Sequence, residues 1–245
     1  TPISATSSIR VWEGQAANAL RNSEKLYKSY VKSAGRSNAI SKNSFDELVS
    51  GHLRGWYKDI DVPDAVKAVS SSYRSEVLNP LLESAKRHGL LPEDIKGDNY
   101  LTVIVDRDKL SRHPKPFIAA VQREIEKKLT VGDLSAADAK IYANDIANEI
   151  FDKFLNHYEL KNDIGGIRIS KPGPLKERTL DIDYRAIKDY LINDPQLIIR
   201  RYVRSVAPEV ELAERFGGPK WRDVIPEQIN ESYRKLREAA TSEAE

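Results

Sequence analysis

Two pairs of closely spaced carboxylates are the residues best suited to chemistry: Asp106 and Asp108 in DRD, and Asp181 and Asp183 in DID. Such acids can hold a hard divalent cation or divide general acid and base work between them. Both pairs also stand at the edges of predicted elements, where aspartate caps helices and closes turns. The four histidines, His52, His88, His113 and His157, are scattered. None belongs to an HExxH pattern or lies four residues from another, the spacing that puts two rings on one helix face. His52 falls on an apolar helical face, where a satisfied core histidine is commoner than a ligand. A third group is cationic. Arg200, Arg201 and Arg204 share the polar face of a predicted helix. They suit contact with an anion, or a solvated face pairing with Glu209, Glu211 or Glu214. Gly165-Gly166 reads as a turn, and the chain has no GxSxG, GxxxxGK or GxGxxG. These residues predict no catalytic residue, no cofactor and no metal.

Composition narrows the classes. Cysteine is absent, which removes disulfides, thiolate metal sites and cysteine nucleophiles. Lys plus Arg is 39 against 37 for Asp plus Glu, a net charge of +2, too balanced to announce a nucleic-acid or membrane-surface protein. No apolar run approaches the roughly 18 residues that span a bilayer. Methionine is absent even at position 1, and the ends TPISATSS and TSEAE suggest an ordered piece of a longer protein.

The elements that would position these residues are helices. Ile9, Trp12, Ala16, Ala19, Ser23, Leu26 and Tyr30 alternate spacings of three and four, the seam of a long helix. Trp12, Tyr27 and Tyr30 on it are the candidate assembly surface; the alternative is that they complete the core. Ser44 with Glu47 reads as a capping box before Phe45, Leu48, Val49, His52, Leu53 and Trp56. Val62, Val66, Val69, Tyr73 and Val77 line another helix, which Asn79-Pro80 kinks or restarts and Gly89 ends. Phe117, Val121, Ile125 and Leu129 mark a third, and Ser135 caps a fourth that runs to about Tyr158.

Leu101–Val105 is the best strand candidate, with 164–170 as its one plausible partner, and at most a two-stranded element or plain extended chain is expected. In 176–218, Asp183 caps a first helix and Ile182 with Ile187 forms a staple. Asp194-Pro195 starts a second helix. Pro208 breaks or kinks the run, and a third helix follows, which Gly217 ends. Trp221 is expected to be buried, ahead of a last helix with Ile225, Ile229, Tyr233 and Leu236.

The expected fold is all-α, a multi-helix bundle in two halves with at most one short two-stranded β element. The expected division is a long helix and loop over 1–43, a helical domain over 44–160, a Gly- and Pro-rich linker over 161–180, and a C-terminal helical bundle over 181–245.

Three ordered phrases carry a resemblance. They are SFDELVSGHLRGWYKDIDVPDAVKAVSSSYRSEVLNPLLESAKRHGLL, DNYLTVIVDRDKL and RTLDIDYRAIKDYLINDPQLIIRRYVRSVAPEVELAERFG, within residues 44–218. The chain resembles the internal virion, or DNA-ejection, proteins of tailed bacteriophages. Thr102 and Val103 depart from the Pro-Arg usual in the second phrase. The resemblance implies a virion component that leaves the capsid through the tail and helps form a conduit through the host envelope. Its partners would be copies of itself and portal, tail or other ejection proteins, with contact to genome DNA as a further option. Such proteins can carry a cell-wall-cleaving domain, but nothing in this chain matches one. Short helices with local contacts and no disulfide would refold quickly after threading a narrow portal. The rival expectations are a nucleic-acid-associated helical protein and a cell-wall-polymer hydrolase using one Glu and one Asp.

Overall fold

Apolar residues three and four apart place nine α-helices among the described residues, and the fold is all-α. The computed structural model describes residues 4–93, 101, 103–129, 135–156, 167–168, 179–180 and 183–242. Tyr158, Asp181, Ile182 and His157 lie outside them, as do the side chains of Trp221, Tyr233 and Leu236.

The chain forms two compact units that are interleaved in sequence. The first gathers 1–45, 63–97 and 199–245; the second gathers 46–62 and 98–198. This differs from the expected halves joined at 161–180. The long N-terminal helix belongs with the C-terminal region, a long-range pairing that local composition does not encode.

In the first unit, α1 (Ala5–Ala34) starts at Ser4, whose Oγ accepts from the Ser7 amide at 3.2 Å. Its seam faces the protein's own helices: Ala16, Ala19 and Ser23 are buried, while Ile9, Trp12, Leu26 and Tyr30 are half-buried. The seam packs on α3 (Asp64–Tyr73) and on the π turn Arg74–Leu78 that follows it. That turn is the structural answer to Asn79-Pro80. The Asn79 amide reaches back five residues to the Arg74 carbonyl, and the widened turn passes the helix into α4 (Asn79–Arg87). Gly89, at φ 69°, ends α4 with Leu90 N–H donating to Ala85 O and Gly89 N–H to Lys86 O.

Further along, α8 (Pro195–Phe216) starts as expected, the Asp194 carboxylate accepting from the Gln196 amide at 2.8 Å. It runs through Pro208 instead of dividing there. The missing hydrogen bond is outweighed by packing on both sides of the proline, since Val203, Val206, Ala207, Val210 and Ala213 are buried. Gly217, at φ 78°, ends α8, with Gly218 N–H donating to Ala213 O. The last helix, α9 (Trp221–Ser242), leaves Ile229 exposed.

The second unit takes most of α2 (Lys42–Leu53). The cap of α2 is Ser41, accepting from the Ser44 amide at 3.2 Å, not Ser44 itself, because the helix begins three residues earlier than the capping-box reading places it. Its core forms between α6 (Pro114–Leu129) and α7 (Ala136–Asn156), which pack along their lengths. Phe117, Val121 and Ile125 from α6 meet Ala143, Ile146 and Ile150 from α7, all buried. Burying each large side chain stabilises the unit by about 1.5–3 kcal/mol. Ser135 caps α7, accepting from the Asp138 amide at 3.2 Å. The short α5 (Arg107–Arg112) and the 3-10 segment Tyr184–Tyr190 close over this pair. The last is 3-10 where an α-helix was expected.

The strand expectation is corrected. Val105 pairs with Leu191 as an isolated antiparallel bridge, flanked by Asp106 N–H donating to Tyr190 O at 2.8 Å and Ile192 N–H to Ile104 O at 2.9 Å. The two-stranded element is instead β1 (Ile167–Arg168) against β2 (Thr179–Leu180), antiparallel, with Ile167 opposite Leu180.

Candidate functional site

Of the carboxylates raised as acid, base or metal candidates, Asp106 and Asp183 act as helix caps. Asp106 caps α5, its Oδ1 accepting from the Lys109 amide at 3.0 Å. Asp108 lies in the first turn of the same helix. Asp183 caps the Tyr184–Tyr190 segment, accepting from the Arg185 amide at 2.9 Å and from the Arg185 Nε at 3.0 Å. Burial pushes the Asp183 carboxyl up. The Arg185 amide and guanidinium, with Lys128, outweigh that, so it sits below the usual carboxylate range.

The histidines go separate ways. His52 meets Asp59 at 2.8 Å, His88 Nδ1 meets the Ser84 carbonyl at 2.8 Å, and the His113 carbonyl accepts from the Tyr190 hydroxyl at 2.9 Å. Among the described residues no three His, Asp or Glu side chains converge to hold a metal, and no helix is long and apolar enough to cross a membrane.

The aromatic residues of α1 do not make one patch. Trp12 and Tyr27 are fifteen residues apart, roughly 22 Å along the helix axis. Trp12 is half-buried, and its indole N–H donates to Glu211 Oε1 at 3.1 Å. Tyr27 stacks on Phe45 with centroids 4.9 Å apart and donates to the Ile40 carbonyl at 3.2 Å. The Tyr30 hydroxyl accepts from the Ile40 amide at 3.3 Å. These rings therefore hold the loop after α1, and Trp12 holds α8. Arg215 of α8 reaches Ser8 Oγ at 3.4 Å. The pairs 12 with 211 and 8 with 215 run α1 and α8 antiparallel where they meet.

The arginine group behaves differently. Arg200 and Arg204 are exposed and Arg201 is half-buried. The expected pairing with Glu209, Glu211 or Glu214 is not made. Among the described residues none of the three arginines forms a hydrogen bond or ion pair, while Glu211 is committed to Trp12 and faces Arg215 at 4.0 Å.

Sequence reasoning passed over a buried polar group in the second unit. Arg54 is 8% exposed, and its guanidinium lies over the Trp56 ring at 5.4 Å. Burial lowers its pKa to about 10, with the Tyr184 hydroxyl acting the other way. One turn earlier Ser50 Oγ donates to the Asn193 carbonyl at 2.8 Å. A Cβ on Gly51 would meet the Tyr57 ring, so any larger residue in this turn of α2 would have to displace that ring. The available signal was phase: Ser50 and Arg54, four apart, sit beside the apolar Val49 and Leu53. This group ties the end of α2 to the 184–193 segment and is built to hold structure.

Neither a family model, nor a curated protein, nor a solved structure matches the chain.

Proposed function

We propose that this chain is a structural module of a tailed-phage particle that acts in genome ejection. It would travel from the capsid interior to the host envelope and assemble there with copies of itself or with portal, tail or other ejection proteins. The three ordered phrases within residues 44–218 support this reading. The observation that carries it is how the polar residues are used. Asp106, Asp183 and Asp194 cap helices, Glu211 and Ser50 tie elements together, and inward side chains dock one helix on another. That is how a scaffold uses such groups.

A mass-spectrometric inventory of purified particles tests the proposal. Peptides of this chain should be present in the particle and protected until ejection. Their absence from particles made by cells that express the chain overturns it. Clearing of cell-wall polymer by the purified chain, abolished in Asp106→Ala, would favour the hydrolase rival.

A further inference from the structure

We propose that the outer face of α8 is a phosphate-binding surface formed by Arg200, Arg201 and Arg204, and that its partner is duplex nucleic acid, gripped by its backbone without regard to sequence. The inference rests on the arginines alone and stands whether or not the chain belongs to a virion.

Four facts about the helix carry it. The three side chains lie within an arc of about 100° and span about 6 Å of axis. They project opposite the stripe of Ile198, Ile199, Tyr202, Val203 and Val206, all of which are buried. They are unpaired among the described residues, although cations elsewhere take carboxylates readily: Lys67 with Asp64, Lys127 with Glu124, Lys153 with Glu149. No Asp or Glu stands three or four residues from any of the three, so α8 offers them no carboxylate within reach along the helix. Three arginines are thus held at fixed spacing on a rigid element, each with its donor fork free. That geometry suits phosphate oxygens, which accept two parallel N–H bonds from one guanidinium.

The surroundings choose between phosphate-bearing partners. A helix that binds a lipid surface inserts an apolar face beside its cations. The apolar face of α8 is already spent in its own core. A single-strand binder stacks bases on aromatic rings, but Tyr202, the aromatic residue on this stretch, is 1% exposed. What remains is a point-charge ridge, which matches the regular phosphate rows of a duplex.

The magnitude is set by counterion release. Three phosphate contacts contribute a slope of about −2.7 in log affinity against log salt, so a fourfold rise in salt weakens binding about 40-fold through this face. The test is fluorescence anisotropy of a short mixed-sequence DNA duplex over a salt series with the full chain. Circular dichroism confirms the fold of every variant. R200Q/R201Q/R204Q is expected to flatten the slope by about 2–3, and the charge-matched K67Q/K127Q/K153Q to leave it within about 1 of the parent. Arg→Lys at all three positions should keep the slope, which also covers the case in which the glutamine variant misfolds. Equal loss in the two glutamine triples overturns the proposal, as does duplex binding too weak to detect at low salt. Binding to phosphatidylglycerol vesicles without binding to duplex also overturns it.

Discussion

Trp12→Phe removes the indole N–H that donates to Glu211 Oε1 at 3.1 Å and leaves the rest of the ring contact largely in place. The Glu211 side chain is only 9% exposed, and its other oxygen lies 4.0 Å from Arg215, too long for a direct hydrogen bond. The carboxylate would be left largely dehydrated with its best donor gone. A hydrogen bond to a charged group contributes about 1.5–3 kcal/mol, and stranding a buried charge is the costlier half of such a loss. Trp12→Phe should therefore cost about 2–3 kcal/mol. Glu211→Leu strands only a half-buried N–H that can turn to water and should cost about 1 kcal/mol. The double variant has neither group to satisfy and should lose far less than the sum, giving a coupling of about 2 kcal/mol. Urea unfolding followed by far-ultraviolet circular dichroism measures all four corners of the cycle. In a chain of this length each kcal/mol moves a melting temperature by about 2–4 °C. Additivity within about 0.5 kcal/mol would show that the indole and the carboxylate do not depend on each other, and the antiparallel docking of α1 on α8 would need another explanation.

Three more outcomes are expected. Pro208→Ala restores a donor inside α8 and should stabilise the chain by about 1–2 kcal/mol in the same assay, the full helix-interior cost of proline being about 3; a loss of stability would mean the helix is shaped around the ring. Ser70 is buried with no partner for its hydroxyl among the described residues, so Ser70→Ala should be neutral or stabilising by up to about 1 kcal/mol, read from the thermal midpoint. Asp183 has a depressed carboxyl, so its contribution is present above the unfolded value near 3.8 and is lost as pH falls through the folded one. Asp183→Ala should lower stability at neutral pH by about 1 kcal/mol and flatten the decline below about pH 4, and unfolding curves at several pH values check both.

Local periodicity made much of the fold legible. The α1 seam, the Val66–Val77 stripe, the Phe117–Leu129 face and the Asp194-Pro195 start each depend on residues within a few turns of one another, and each is where it was expected. The failures share the opposite property. Val105 finds Leu191 across 86 positions, and Trp12 finds Glu211 across 199. No local pattern encodes such pairings, so the partner of the Leu101–Val105 segment was misplaced and the interleaving of the two units was not legible. The prolines are subtler: Asn79-Pro80 restarts a helix, one of its two expected outcomes, whereas no separate helix starts at Pro208. Pro80 and Pro208 carry the same local signal, but the first is absorbed by a π turn and the second by surrounding apolar packing. Of the candidate site, the arginines and the lack of an acid three or four residues from them could be read from helical phase, but the absence of a partner from another element could not.

The first unit is closed by α1 and α8, which lie far apart in sequence, and this sets a timetable for any journey made in extended form. A strand drawn lengthwise through a narrow opening delivers Trp12 and Glu211 at opposite moments, whichever terminus leads. The stretch from 98 to 198 meets no such delay, since α6 and α7 are consecutive and can zip together as soon as both are through. Emergence would thus close the near neighbours first, α1 on α3 and α6 on α7, and finish when α8 meets α1, leaving only the Trp12 side of α1 uncovered for the interval between.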